Sequence, residues 1–151
     1  NLPEQTALHK MSDGSTFWHR MGDVGYCDEQ QRFWFCGRKS QRVTIDGKTL
    51  FTVPSEAVLI RHPRVFRSAL VGVGPADARR AVMVVEPWPE KKPRGRAEEQ
   101  AFARELLDLA HADPLTRAIE QVLLHPSLPV DIRHNAKIFR EKLGQWVEGQ
   151  G

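Results

Sequence analysis

Cysteine is nearly missing from this chain of 151 residues: Cys27 and Cys36 are its only two. A pair without further thiols is a poor disulfide framework and a poor zinc site. Reduced thiols and no metal centre are therefore expected. Long apolar runs are missing as well. The longest, near "ALVGVG" and "AVMVVEPW", fall far short of the ~20 residues that cross a bilayer, and no early stretch has the layout of a signal peptide. The expectation is a cytoplasmic protein without a transmembrane segment.

Nor is there a large excess of one charge. The formal net charge of +3 admits an anionic partner without demanding one. The densest basic run, "EKKPRGRAEE" from Glu90 to Glu99, carries Lys91, Lys92, Arg94 and Arg96 between prolines and glycine. No aromatic residue is interleaved to stack on bases, and acids bracket the run, so it reads as a solvated linker. A stand-alone basic module is the distant alternative, and no nucleic-acid partner is expected.

What is present points to a folded α+β chain, with 40% hydrophobic and 27% charged residues, ordinary values for a globular protein. Residues 1–15 are polar and aperiodic and read as a loop. Two extended segments, "FWHRMGDVGYC" and "RFWFCG", flank the polar turn "DEQQ" and predict a β-hairpin. "GRKSQ" then offers a glycine and no apolar anchor, a natural joint. Beyond it, Asp46-Gly47 between "RVTI" and "TLFTV" predicts a second hairpin over Arg42 to Val53. "PSEAVLIRHP" predicts a short helix opened by Pro54 and closed by Pro63, with Ala57, Val58 and Ile60 on its apolar side. "RSALVGV" and "AVMVVEP" read as buried neighbouring strands. Phe102, Leu106, Leu109 and Ala110 mark one face of a helix, and Leu115, Ile119, Val122 and Leu123 mark another. Finally "HNAKIFREKLGQWV" reads as an amphipathic helix with Asn135 as N-cap. That places Lys137 in the first turn, where the helix dipole repels a cation.

The order of these motifs resembles one superfamily. "FWHRMGDVGYCDEQQRFWFCGRKSQRV" is similar to the segment of acyl-adenylate-forming enzymes (acyl-CoA synthetases, luciferases, peptide-synthetase adenylation domains) that runs from the ribose-binding aspartate to the interdomain hinge. "VPSEAVLIRHPRVFRSALVGVG" resembles the helix and strand after the hinge, and "LPVDIRHNAKIFREKL" the terminal motif that carries the catalytic lysine. The resemblance covers about Phe17 to Leu143. It implies an α+β fold in which residues 1–38 are the tail end of a large N-terminal domain, ending in its last hairpin. Residues 39–151 would be a small C-terminal lid, a hairpin and a short sheet packed by helices. It also implies ATP with Mg2+, held mainly by the rest of a longer enzyme. No glycine-rich phosphate loop is present, since "GVGPAD" at Gly72 to Asp77 has the wrong form, so the chain by itself is expected to be inactive.

Site residues follow from the same comparison. Asp23 of "MGD" corresponds to the aspartate that accepts the ribose hydroxyls, a task suited to a two-oxygen acceptor. Arg38 of "GRK" corresponds to the arginine at the ribose and phosphate side, where a planar, permanently charged fork suits better than lysine. Ser40 lies at the hinge position, departing from the family's usual Asp or Lys. Lys137 corresponds to the lysine that contacts the acyl carboxylate and α-phosphate. There an ammonium offsets the charge that develops as carboxylate attacks phosphorus.

Within the superfamily, "HNAKIF" in place of the common "SGKI", with "GKTLFTVPSEAVLIRHPRV", resembles the β-lactone synthetases of the bacterial long-chain olefin pathway. This implies ATP-dependent closure of a long 2-alkyl-3-hydroxy acid to a β-lactone. Its partners would be that substrate, its own N-terminal domain and other enzymes of the pathway. A fatty acyl-CoA ligase or fatty acyl-AMP ligase is the alternative. The linker reading of the basic run has a direct check: titrated with an oligonucleotide at two salt concentrations, the chain should show no binding even at low salt. Salt-dependent binding would return the basic module.

Overall fold

The computed structural model describes residues 10–19, 21–75, 78–133 and 137–150. Two hairpins come first. β1 (Lys10–Asp13) pairs with β2 (Thr16–His19), and β3 (Asp23–Cys27) with β4 (Phe33–Arg38). The stretch expected to be a loop thus holds a strand, and the expected single segment from Phe17 to Cys27 is broken between β2 and β3 by Gly22 at φ +74°. The "DEQQ" turn is as expected. Its Asp28 carboxylate accepts the backbone N–H of Gln30 (3.0 Å) and Arg32 (2.9 Å), the local bonding that makes aspartate a turn former. The Trp34 indole N–H also reaches it, at 2.8 Å. These bonds, the indole's first, hold its carboxyl below the usual carboxylate range.

After a single 3₁₀ turn at Lys39–Gln41 comes the hairpin β5 (Val43–Ile45) and β6 (Lys48–Leu50) around Asp46-Gly47, and then α1 (Thr52–Ile60). Pro54 lies in the first turn, where its missing N–H costs nothing. The buried side of α1 is not the expected one. Thr52, Ser55, Glu56, Val58 and Leu59 are buried, while Ala57 is exposed and Ile60 is 49% exposed. The helix turns a polar strip inward because a guanidinium waits there, as described below.

β7 (Val65–Val73) and β8 (Arg80–Pro87) are the two apolar runs, paired antiparallel in the middle of the molecule. After α2 (Arg96–Ala112), β9 (Gln121–Leu124) adds to the other side of β8 in parallel, giving the order β7-β8-β9. Both faces of this sheet are covered, which explains runs without alternation. Ala81, Met83 and Val85 face a core shared with Leu59, Phe102 and Leu106. Val82 and Val84 face a second core with Leu128, Leu143 and Val147.

Two expected helices are corrected. Leu115, Ile119, Val122 and Leu123 do not share a helix face: Pro114 follows the end of α2, turns occupy the interval, and Val122 and Leu123 lie in β9. Those two residues pack against opposite cores, the period of a strand. Leu109 of α2 is only half-buried, so its inward stripe is Phe102, Leu106 and Ala110. The final helix, α3 (Arg140–Glu148), begins at Arg140 and not at Asn135. Lys137 and Ile138 form β11, antiparallel to β10 (Val130–Asp131), and the Phe139 N–H donates to Pro129 O at 2.9 Å. The helical spacing of Ile138 and Phe139 with Leu143 is fortuitous; only Leu143 and Val147 are buried on α3. Asn135 lies outside the described residues. The dipole argument for Lys137 falls with the helix it assumed.

At the joint, Gly37 has φ +113° and a Cβ there would lie 2.2 Å from Thr52 Oγ1. Backbone freedom and close approach to α1 both require glycine. Gly37→Ala is therefore expected to lower stability by about 1–3 kcal/mol, read as a shift in urea midpoint; an unchanged midpoint would contradict this packing.

Candidate functional site

Asp23 and Arg38 stand opposite each other in the β3–β4 register. Arg38 Nε lies 3.0 Å from Asp23 Oδ1, with both side chains partly exposed, and the guanidinium also donates from Nη1 to Met21 O. An exposed pair of this kind adds at most ~1 kcal/mol, so its interest lies in what it presents. The hairpin sets a two-oxygen acceptor beside a planar donor on one accessible edge. The joint follows at once: the Lys39 N–H donates to Gly22 O (2.8 Å), and Ser40 is the exposed middle residue of the 3₁₀ turn.

Lys137 is exposed in β11 and lines an open cavity of about 640 Å³ together with Ser40. Arg42, Arg79 and Lys142 also line it, against Glu141 and Glu148. The surplus of cations fits a phosphoryl or carboxylate anion. Asp23 and Arg38 do not line this cavity. The structure thus forms two groups, Asp23 with Arg38 and Ser40 with Lys137, connected by the joint.

At the wall of the Lys137 cavity, which Arg140 also lines, sits a pair that the sequence reading missed. Glu56 of α1 and Arg140, the first residue of α3, form a bidentate ion pair, with side chains only 11% and 17% exposed. The second contact, Arg140 Nη2 to Glu56 Oε2, is 3.1 Å. Every remaining bond locks the pair further. Leu70 N–H donates to Glu56 Oε1 (2.8 Å), Arg140 Nη1 donates to Leu70 O (3.1 Å), and Arg140 Nε donates to Gln41 Oε1 (3.3 Å). Ser68 Oγ donates to Glu56 O (2.9 Å). One guanidinium therefore fastens together α1, β7, the joint and the start of α3. The available signal was slight: a glutamate two residues after Pro54 on a helix whose next buried apolar residues are Val58 and Leu59.

Burial pushes the Glu56 carboxyl above its usual range, against the pull of Arg140 and of the Leu70 N–H. A raised folded-state pKa gives a contribution to stability that is full below the unfolded pKa and is lost as pH rises through the folded one. Relative to Glu56→Gln, the chain should therefore lose stability as pH climbs from the ordinary glutamate range, in urea unfolding at several pH values; a rise over that interval would contradict the direction. Buried ion pairs also behave asymmetrically. Arg140→Met, which strands a buried carboxylate, should cost about 3–5 kcal/mol. The double change Glu56→Leu with Arg140→Met should cost less than that single change, and additive losses would contradict the coupling.

No protein-family profile matches the chain. Among curated proteins it is 45% identical, over 99% of its length, to an olefin β-lactone synthetase of Stenotrophomonas maltophilia, and it spans 27% of that protein. Among solved structures it superposes with TM-score 0.75 on the amide bond synthetase McbA of Marinactinospora thermotolerans, at 25% identity, with 96% of this chain and 27% of that one covered. The O-succinylbenzoate coenzyme A synthetase of Bacillus subtilis, solved with ATP and a magnesium ion, shares the fold at TM-score 0.71 and 19% identity, over 95% of this chain and 27% of that one. The chain thus spans about a quarter of the length of the proteins it matches. Its α+β architecture and these matches place it in the acyl-adenylate-forming enzymes, as a C-terminal part.

Proposed function

We propose that this chain is the C-terminal part of an ATP-dependent enzyme that adenylates a long-chain 2-alkyl-3-hydroxy acid and closes it to a β-lactone. The observation that carries this reading is the 45% identity to an olefin β-lactone synthetase across nearly the whole chain. Residues 1–38 belong in this reading to the large domain and 39–151 to the lid. Phe33, Trp34 and Phe35 of β4 are 64%, 47% and 47% exposed. Such a surface favours burial against further protein. The two free cysteines fit a reducing compartment, and we place the enzyme in the cytoplasm.

The chemistry divides into two displacements. First the substrate carboxylate attacks the α-phosphorus of the co-substrate ATP, and pyrophosphate leaves. Two anions approach each other in that step, and Lys137, projecting into the cationic cavity, offsets the charge that builds on the phosphoryl oxygens. Asp23 accepts the ribose hydroxyls and Arg38, already oriented against it, faces the phosphate side. The substrate's own 3-hydroxyl then attacks the activated acyl carbon, loses its proton, and expels AMP to form the four-membered ring. Mg2+, when bound, would neutralise charge on the phosphates, held mainly by the remainder of the enzyme in this reading. Ser40, in the one short turn between the two groups of site residues, is the position about which the lid turns.

A fatty acyl-CoA ligase is the second reading, favoured by acyl-CoA ligases 36% identical over 52% of the chain. Both readings require the lysine. In the full-length enzyme, Lys137→Ala should cut ATP-dependent pyrophosphate release by about 100- to 1000-fold with the fold retained by circular dichroism. Release at the unaltered rate would overturn the assignment.

A further inference from the structure

Arg140 stands three residues after Lys137, and only Ile138 of the same strand and Phe139, at φ −81° and ψ 78°, lie between them. β11 and its partner β10 are short; Ile138 packs against the second core and the Phe139 N–H donates to Pro129 O, but Lys137 itself is exposed. The nearest side chain along the chain that is held by several elements at once is the Arg140 guanidinium, which reaches Glu56 on α1, Leu70 O on β7 and Gln41 Oε1 in the joint. A buried ion pair is a poor source of net stability, since desolvation offsets the attraction. What the fork does provide is direction, because its donors are fixed in one plane.

We infer that Arg140 is a positioning residue: it aims Lys137 into the cavity and, through Gln41, ties that aim to the setting of the joint. The inference rests on the role given to Lys137 under the proposed function. When Lys39–Gln41 changes conformation, the Gln41 bond to Arg140 is strained or lost, and the lysine's support changes with it. Lys137 is thereby held for the first displacement and released as the lid turns. A small error in aim is costly, since about 1 Å of misplacement can lose on the order of 100-fold in rate.

The test uses the full-length enzyme with single and combined variants, Lys137→Ala, Arg140→Lys and both, read by kcat and KM for ATP in pyrophosphate release. Arg140→Lys keeps a cation beside Glu56 but loses the fork. It should lower kcat by about 10- to 100-fold with KM for ATP little changed, and should cause no further loss in the Lys137→Ala background. A residue serving the fold alone would lower the rate by the same factor in both backgrounds, and that result overturns the inference, as does an unchanged kcat. Gln41→Ala, which leaves the buried pair intact, should give a smaller loss in the same parameter. Should Arg140→Lys not fold, this variant decides, and an unchanged kcat for it overturns the inference. If Lys137→Ala itself leaves pyrophosphate release unaltered, the proposed function has failed and the inference falls with it, an outcome distinct from loss at Lys137 without loss at Arg140.

Discussion

The contact between Glu56 and Arg140 is the constraint on which the geometry of this chain depends. Its two ends belong to elements far apart in sequence, α1 and α3. Each is oriented by the need to keep a charge paired where water is scarce. α1 must turn Glu56 toward β7, which is why Ala57 and Ile60 face outward although both are apolar. α3 must start at Arg140, which fixes where β11 ends. Burial of Leu143 and Val147 against the sheet supplies the attraction; the ion pair selects one rotation and one register from the arrangements that burial alone would accept.

The rest of the architecture divides labour between a dry sheet and wet edges. β7 and β8 are buried on both faces, and the helices on either side keep them so. The residues assigned to chemistry all lie outside these cores. Asp23 and Arg38 sit on an exposed hairpin, Ser40 in a single turn, and Lys137 in a strand of two residues. Side chains that must meet a nucleotide and then leave it need to be accessible, and their orientation then has to come from neighbours that are not. For Lys137 the neighbour we infer is Arg140.

Much of this was legible in the sequence where a local rule governs. Asp46-Gly47 specifies its turn, Asp28 bonds to its own turn, and two β-branched apolar runs can hardly be other than buried strands. The pairing of Asp23 with Arg38 was not legible: the register set at the "DEQQ" turn would put Asp23 opposite Gly37, and the shift between Val24 and Gly25 brings Arg38 there instead. Periodicity failed where short segments satisfied two templates. Ile119, Val122 and Leu123 fit a helix face on paper, but an open edge of β8 lay within reach, and strand pairing won. Ile138 and Phe139 were counted into α3, yet Ile138 pairs with β10 and the Phe139 N–H donates to Pro129 O. The buried Glu56–Arg140 pair left no periodic trace, because its partners meet only in the fold, 84 residues apart. The assignment of Lys137 thus rests on the motif alone, since the helix-dipole reasoning about it did not hold.

The central claim is that this chain completes an enzyme whose activated acid is captured by its own hydroxyl. Mass spectrometry of the products formed by the full-length enzyme from ATP and a long 2-alkyl-3-hydroxy acid, with and without coenzyme A, tests it most directly. The account predicts AMP, pyrophosphate and a β-lactone in the absence of the thiol. A thioester formed only when coenzyme A is supplied, with no lactone in either case, would contradict it.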